Sequence, residues 1–271
     1  MLRGGLGAAV FVRTVHTALT WAVTLVLFLH DTDLWSRDDG SKVLQPLCFL
    51  FFVLCSMALY FAVSLMDPGY VMSDCDEKVT QCLTPLLLSH FNPSADPSPV
   101  RSRRCGYCLF KQPMRARHCK SCQHCVRRYD HHCPWIENCV GEKNHPLFIL
   151  YLCVQLMALL WALRLGWSGF HFAETWTEWL HVNVFLLLAF VLSCIFTVVV
   201  SLLLVCHLYL ISCNVTTWEF MSHHRIAYLK HYESDANPFD KGIIRNIWSF
   251  FCTFGTVAWE RIYFRESYAT V

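Results

Sequence analysis

Seven cysteines and five histidines fall within 41 residues, from Cys105 to His145. The order is Cys105-Gly-Tyr-Cys108, His118-Cys119, Cys122-Gln-His124-Cys125, Asp130-His131-His132-Cys133 and Asn138-Cys139. Two-residue gaps separate Cys105 from Cys108, Cys119 from Cys122 and Cys122 from Cys125, a spacing that lets two thiolates grip one tetrahedral zinc. A closed structural zinc site takes four ligands. Two sites of three Cys and one His use six cysteines and two histidines and leave one thiol over. A thiol outside the metal sites, beside two histidines and an aspartate, has the layout of an activated nucleophile. Composition does not say which cysteine is spare. Cys133 is the best candidate because Asp130, His131 and His132 immediately precede it.

These residues sit in an unusual chain. Of 271 residues, 55% are hydrophobic and 15% charged, with a mean hydropathy of +0.37. A soluble domain carries about 25% charged residues, so neither a soluble globular domain nor a disordered chain fits. A net charge of +2 gives no electrostatic footprint for nucleic acid. Four apolar stretches reach the roughly 20 residues a membrane helix needs: about Val10–Leu29, Val43–Met66, Pro146–Leu163 and Val182–Ser212. The first is too long for a signal peptide, and the polar His30-Asp31-Thr32-Asp33 that follows offers no small-residue cleavage site, so it is expected to be a retained helix. Arg13, near its start, is placed to snorkel.

Four spans put both termini and the long middle loop on one side. That side carries 19 of the 22 Lys and Arg residues, which predicts cytosolic termini and a cytosolic cysteine module. In the reducing cytosol the cluster reads as metal-binding or catalytic rather than disulfide-bonded. The expected organisation is therefore an all-α polytopic membrane protein with four transmembrane helices and a zinc-stabilised cysteine-rich module between helices 2 and 3. Its parts are helices 1 and 2 with a short lumenal loop (1–72), a Pro- and Ser-containing cytosolic linker (73–104), the module (105–145), helices 3 and 4 (146–213) and a cytosolic tail (214–271). About 40 residues hold little core of their own, so bound metal supplies most of the module's folding energy.

Asp130-His131-His132-Cys133 within this spacing resembles the DHHC-type protein S-acyltransferases, or palmitoyltransferases. The resemblance extends to the four spans and to three outlying motifs. They are Asp67-Pro68-Gly69 after the second span, Thr216-Thr217-Trp218-Glu219 after the fourth, and Asn237-Pro238-Phe239-Asp240-Lys241-Gly242 with Asn246 beyond. The resemblance implies one zinc on Cys105, Cys108, His118 and Cys125, and a second on Cys119, Cys122, His132 and Cys139. It implies Cys133 as nucleophile, His131 as its base and Asp130 as the orienting acid. It further implies palmitoyl-CoA, or another fatty acyl-CoA, as donor, and substrate proteins whose cytosolic cysteines lie near the lipid bilayer. Residence in the Golgi or endoplasmic reticulum follows from the same resemblance.

The chemistry so implied is ping-pong acyl transfer. A free thiol, with a pKa of about 8.5, is only partly ionised at neutral pH, so a histidine base steadied by a carboxylate has a role. Both zinc sites would be full, which assigns the metals to structure rather than catalysis. A cavity among the helices, near Pro134 and Trp135, would shelter an acyl chain that costs about 0.8 kcal/mol per CH₂ to expose. Candidates for the CoA phosphates are Arg127, Arg128, Lys143 and tail basics, with none singled out.

Other features read more plainly. Asp67-Pro68-Gly69 is expected to be a helix-ending turn, His124 and His145 surface or supporting residues, and Arg115 and Arg117 solvated or structural. Thr216, Thr217 and Glu219 are expected to pack against the catalytic loop, with Asn246 as a support. The run Trp218–Tyr232 is expected to be an interfacial amphipathic helix. Asn214-Val-Thr216 is a formal glycosylation sequon that the predicted topology leaves unmodified. Two other functions compete. A membrane-anchored zinc-finger adaptor without chemistry would use the same ligands and be indifferent to Cys133. A zinc transporter needs polar ligands within the spans, where only His16 and His207 stand, near span ends.

Overall fold

The structure is a computed structural model, and it describes residues 2–35, 43–72, 103–230, 232, 237–253 and 255–263. Most of the expected linker 73–104 lies outside the described residues. Four long helices carry the apolar stretches: α1 (Leu2–Leu29), α2 (Leu44–Leu65), α3 (His145–Ser168) and α4 (Trp176–Ser212). All four are long and apolar enough to cross a membrane. At 1.5 Å per residue the 22 residues of α2 span about 33 Å, matching a hydrocarbon core of about 30 Å. The 37 residues of α4 run to about 55 Å and exceed it.

The helices outrun the apolar runs for local reasons. α4 starts at Trp176 because Thr175 caps it, its hydroxyl accepting from the Glu178 N–H at 3.3 Å. α3 continues through Arg164, which faces Asp33 at 4.0 Å. Arg13 donates to the Ser64 hydroxyl at 2.7 Å and carbonyl at 3.0 Å, meeting the end of α2, where the last carbonyls have no backbone N–H donor.

The chain divides into two compact units. The first comprises residues 1–66, 133–138 and 146–209, and its core gathers Leu27, Leu34, Phe49, Val53, Ala162, Leu165 and Leu186. Within it Ser64 donates to the Ile136 carbonyl at 2.7 Å, and the Asn138 amide donates to Val63 and Met66 carbonyls at 3.1 and 2.8 Å. These bonds bind the short 133–138 segment to the end of α2.

The second unit comprises residues 67–132, 139–145 and 210–271. Four three-residue strands form two hairpins: β1 (Arg117–Cys119) with β2 (His124–Val126), and β3 (His131–Cys133) with β4 (Asn138–Val140). β1 and β2 are antiparallel, with His118 opposite Cys125 and Cys119 opposite His124. Two short tail helices, α5 (Thr217–Ser222) and α6 (Ile243–Cys252), complete the unit.

The run 218–232 is not one helix. α5 stops at Ser222, a 3-10 turn follows at His223–Arg225, and Ile226 and Leu229 turn inward to become buried. Asp67-Pro68-Gly69 does more than end α2. Asp67 Oδ1 accepts from the Gly69 and Tyr70 N–H groups at 2.9 and 2.8 Å, and Gly69 takes φ +104°. The turned chain then pairs with the module: Arg127 donates to the Gly69 carbonyl at 2.8 Å, Lys143 to the Pro68 carbonyl at 3.2 Å, and Val71 to the Cys125 carbonyl at 2.8 Å. A Cβ on Gly141 would stand 2.5 Å from Val126 and 2.6 Å from the Pro68 carbonyl, so only glycine permits this approach.

Candidate active site and metal centres

Strand geometry sorts the ligands. Successive side chains of a strand point to opposite faces. His118 and Cys119, neighbours on β1, therefore turn to different groups. The structure gathers Cys105, Cys108, His118 and Cys125 into one set and Cys119, Cys122, His132 and Cys139 into another, the ligand atoms of each lying within 4.8 Å of one another. His118 Nδ1 is 3.3 Å from Cys108 Sγ and 3.9 Å from Cys125 Sγ, while His132 Nδ1 is 3.4 Å from Cys122 Sγ and 3.7 Å from Cys139 Sγ.

The donor chemistry fits zinc. Three thiols and one imidazole in each set form a soft, borderline tetrahedral donor group. The sulfurs compete for charge. Hydrogen bonds from Cys122 and then Cys139 hold the Cys119 thiol far below its ordinary value, while the same short contacts push Cys139 far above it. Only a cation lets all three ionise together. Among the described residues no cysteine is in a disulfide.

The same alternation acts on β3. His132 turns to the second metal set, so His131 and Cys133, two residues apart, share the other face. Asp130 precedes the strand and is 1% exposed. Its Oδ2 lies 2.7 Å from His131 Nδ1. With Nδ1 facing the carboxylate, a neutral ring carries its proton on that nitrogen. Asp130 is fixed in turn by the tail: the Thr217 N–H donates to Oδ1 and the Thr217 hydroxyl to Oδ2, both at 2.8 Å, and the Trp218 N–H donates to the Asp130 carbonyl at 3.2 Å. The Thr217 N–H is one of the helix-start donors without an intrahelical partner.

α5 itself is held by a capping box. Thr216 accepts from the Glu219 N–H at 3.2 Å and the Glu219 carboxylate accepts from the Thr216 N–H at 2.9 Å. The carboxylate also receives a two-pronged clasp from Arg115, Nε to Oε1 at 2.8 Å and Nη2 to Oε2 at 2.6 Å, and the Tyr228 hydroxyl at 2.8 Å. Burial alone raises the Glu219 carboxyl, yet the Arg115 guanidinium holds it below the ordinary range.

Arg115 is not solvated. It is 1% exposed, its guanidinium 4.4 Å from both the Phe239 and Trp259 ring centres, with further bonds to the Asn214 side chain and carbonyl at 3.1 and 2.9 Å. Sequence reasoning missed this role. The available signal was Glu219, an acid in a motif expected to pack inward and therefore in need of a cation.

Asn214 is equally engaged. It is buried at φ +51°, donates to the Phe239 carbonyl at 2.8 Å and accepts from Arg128 at 3.0 Å, so its amide has no place for a glycan. Arg128 is half-buried, its guanidinium 5.3 and 5.4 Å from the Phe250 and Trp259 ring centres, and desolvation followed by the nearby Arg115 charge pushes it down to about 10. Lys143 pairs with Asp67 at 2.6 Å. Asn246 donates to the Ser212 carbonyl at 2.8 Å and to Asp240 at 2.6 Å, and Asn237 donates to the Cys213 carbonyl at 2.7 Å. His145 is buried edge-on to Phe250, and His124 is exposed beside Tyr70.

Four spans, paired Cys₃His sets and a carboxylate-held histidine ahead of a cysteine define a membrane acyltransferase of the DHHC class, and the chain belongs to the DHHC palmitoyltransferase family: that family's model matches residues 99–224. Over nearly its whole length the chain is similar to palmitoyltransferase ZDHHC12-A of Danio rerio, 55% identical across 96% of each chain. It is also similar to palmitoyltransferase ZDHHC12 of Homo sapiens, 52% identical across 96% of this chain and 94% of the relative. The protein is a protein S-palmitoyltransferase.

Proposed function

We propose that Cys133 carries the acyl group and that transfer is ping-pong, with palmitoyl-CoA as donor. Proton transfer from the Cys133 thiol to His131 gives the thiolate, and Asp130 steadies the resulting imidazolium. The thiolate attacks the thioester carbonyl. The new C–S bond forms as the bond to the CoA sulfur breaks, and the proton on His131 leaves with CoA. A substrate protein's cysteine thiolate then displaces Cys133 in the same way. The observation that carries this reading is the 2.7 Å pair of Asp130 and His131 on the carboxylate side, with Cys133 next on the same face of β3.

In this reading Cys105, Cys108, His118 and Cys125 hold one zinc and Cys119, Cys122, His132 and Cys139 the other. Bound zinc supplies a tetrahedral anchor that keeps the two hairpins in register and takes no part in acyl transfer. The termini, module and tail face the cytosol, in keeping with the distribution of Lys and Arg. Acceptor cysteines are those presented near the bilayer, and the compartment is Golgi or endoplasmic reticulum.

The test incubates purified full-length protein with palmitoyl-CoA and reads intact mass and zinc content for wild type and Cys133→Ser. A hydroxylamine-labile palmitoyl adduct on wild type alone, with two zincs in both, is expected. A zinc-loaded wild type that forms no adduct would instead be a binding adaptor, and zinc loss in Cys133→Ser would make Cys133 a ligand.

A further inference from the structure

The first unit encloses a narrow cavity of about 80 Å³ among α1, α2, α3, α4 and Trp135. That is room for a few water molecules. The walls are mainly apolar, with Val23, Phe49, Val53, Ala162, Leu192 and Phe196 among them. Three hydroxyls that line it are spent on their own helices: Thr20 donates to the His16 carbonyl at 2.9 Å, Thr24 to the Thr20 carbonyl at 2.8 Å, and Ser193 to the Ala189 carbonyl at 2.8 Å. Gln155 accepts from Ser56.

His16 differs. It is 5% exposed, and its Nε2 is buried with no hydrogen-bond partner among the described residues. The ring is fixed in place, stacked on Tyr60 at 3.8 Å and edge-on to Trp135 and Tyr151 at 6.1 and 6.4 Å. A buried nitrogen without a partner is costly and calls for an explanation.

The depth of His16 indicates what it would meet. Arg13, one turn before it, bonds Ser64, which itself bonds the Ile136 carbonyl. Tyr60, beneath the His16 ring, donates to the Trp135 carbonyl at 3.2 Å. His16 therefore lies at the level of residues 135 and 136, the end of the cavity nearest Cys133 in the chain. Thr24, at the other end, is eight residues along α1, about 12 Å deeper. A chain attached to Cys133 and threaded inward has one polar group, its thioester carbonyl, and that group sits at the shallow end.

We propose that His16 is a further catalytic residue, donating its Nε2–H to the carbonyl oxygen of the acyl thioester. This rests on the reading of Cys133 as the acyl carrier. When a thiolate attacks, the carbonyl π pair moves to oxygen, and the His16 N–H bond strengthens as that oxygen becomes an oxyanion. Collapse restores the carbonyl and expels the other sulfur. His16 keeps its proton throughout, and the same donor serves both half-reactions because both pass through the same carbonyl. The surrounding apolar walls raise the value of a single donor, since little else competes for the charge.

The experiment uses full-length protein and single-turnover acylation of Cys133 by palmitoyl-CoA, read by rapid quench and intact mass, with a thermal melt on each variant. His16→Phe keeps the ring stack on Tyr60 and removes the donor. His16→Gln restores an N–H, and His16→Met is a second variant without a donor. His16→Phe is expected to acylate about 10²–10³-fold more slowly with an unchanged melt, its loss falling on kcat rather than on the KM for palmitoyl-CoA. His16→Gln should recover at least about tenfold of that loss. A wild-type rate in His16→Phe and His16→Met overturns the proposal. So does an equal loss in Phe, Met and Gln, which would mean the site needs only an imidazole-shaped filler. If wild type itself forms no adduct at Cys133, the carrier assignment has failed, a result distinct from either of these.

Discussion

Asp130 shows how much the proposed catalytic pair depends on residues outside it. The carboxylate is buried and meets His131 on one side and two donors from Thr217 on the other. A buried charge is tolerated only when it is so satisfied. Asp130→Asn keeps the shape but presents an amide to Nδ1 and disfavours the working tautomer. It is expected to slow acylation of Cys133 about 10³–10⁴-fold with both zincs retained. Thr217→Val leaves the backbone N–H in place and removes only the hydroxyl, for a loss of about ten- to thirtyfold. Rapid-quench mass spectrometry on both variants checks the ordering. An Asp130→Asn enzyme as fast as Thr217→Val would show that the carboxylate does not orient the base.

The elements divide by what stabilises them, and so does their legibility in sequence. The four long helices were readable because apolar length alone commits a segment to the bilayer. Their ends were less so, since hydropathy is blind to a cap such as Thr175 or to the helix-continuing turn around Arg164. Spacing alone gave two sites of three Cys and one His with one thiol to spare; which residues share a site came from the family resemblance, and the structure groups them the same way. What could not be read was the long-range polar bonding. Nothing local marks Arg115 as the partner of Glu219, 104 residues on. The Trp218–Tyr232 run also misled, because Tyr228 and Leu229 spend their apolar surface inward, against Glu219 and the tail, and not on a continuous amphipathic face.

The same division predicts what metal removal does. Stripping zinc with a strong chelator is expected to unfold β1–β4 while the long helices keep their far-ultraviolet signal, with both metals lost and acylation abolished. Zinc stoichiometry, circular dichroism and a single-turnover assay on one sample check this. Full activity after complete removal of both metals would overturn the structural assignment.

At the scale of the molecule, the ties between tail and module include hydrogen bonds from Thr217 to Asp130 and the buried Arg115–Glu219 ion pair, and the ion pair sets a pH response. The Glu219 carboxyl is held below its ordinary value in the fold. An acid with a depressed folded pKa contributes stability that is present above the unfolded value of about 4.3 and is lost as pH falls through the lower folded value. Thermal melts of wild type should therefore drop steeply below about pH 4. Glu219→Gln should show a weaker dependence there and cost about 3–5 kcal/mol at neutral pH, because Arg115 is left buried without its counter-charge. A variant as stable as wild type at pH 7 would mean that the Phe239 and Trp259 rings alone hold Arg115.

The bond from Thr217 to Asp130 crosses 87 residues, and it sets a clock on biosynthesis. At about 5–20 residues per second a ribosome takes roughly 4–17 s to travel from the aspartate to the threonine that braces it. During that interval the emerging chain has the proposed acyl carrier, Cys133, but an acid with nothing behind it. Competence arrives with the tail, after the last hydrophobic helix has been made, so an unfinished enzyme is poorly equipped to acylate the proteins crowded around its point of insertion. Ribosome-arrested chains stopped before and after Thr217, probed with a clickable acyl-CoA, should differ in labelling at Cys133.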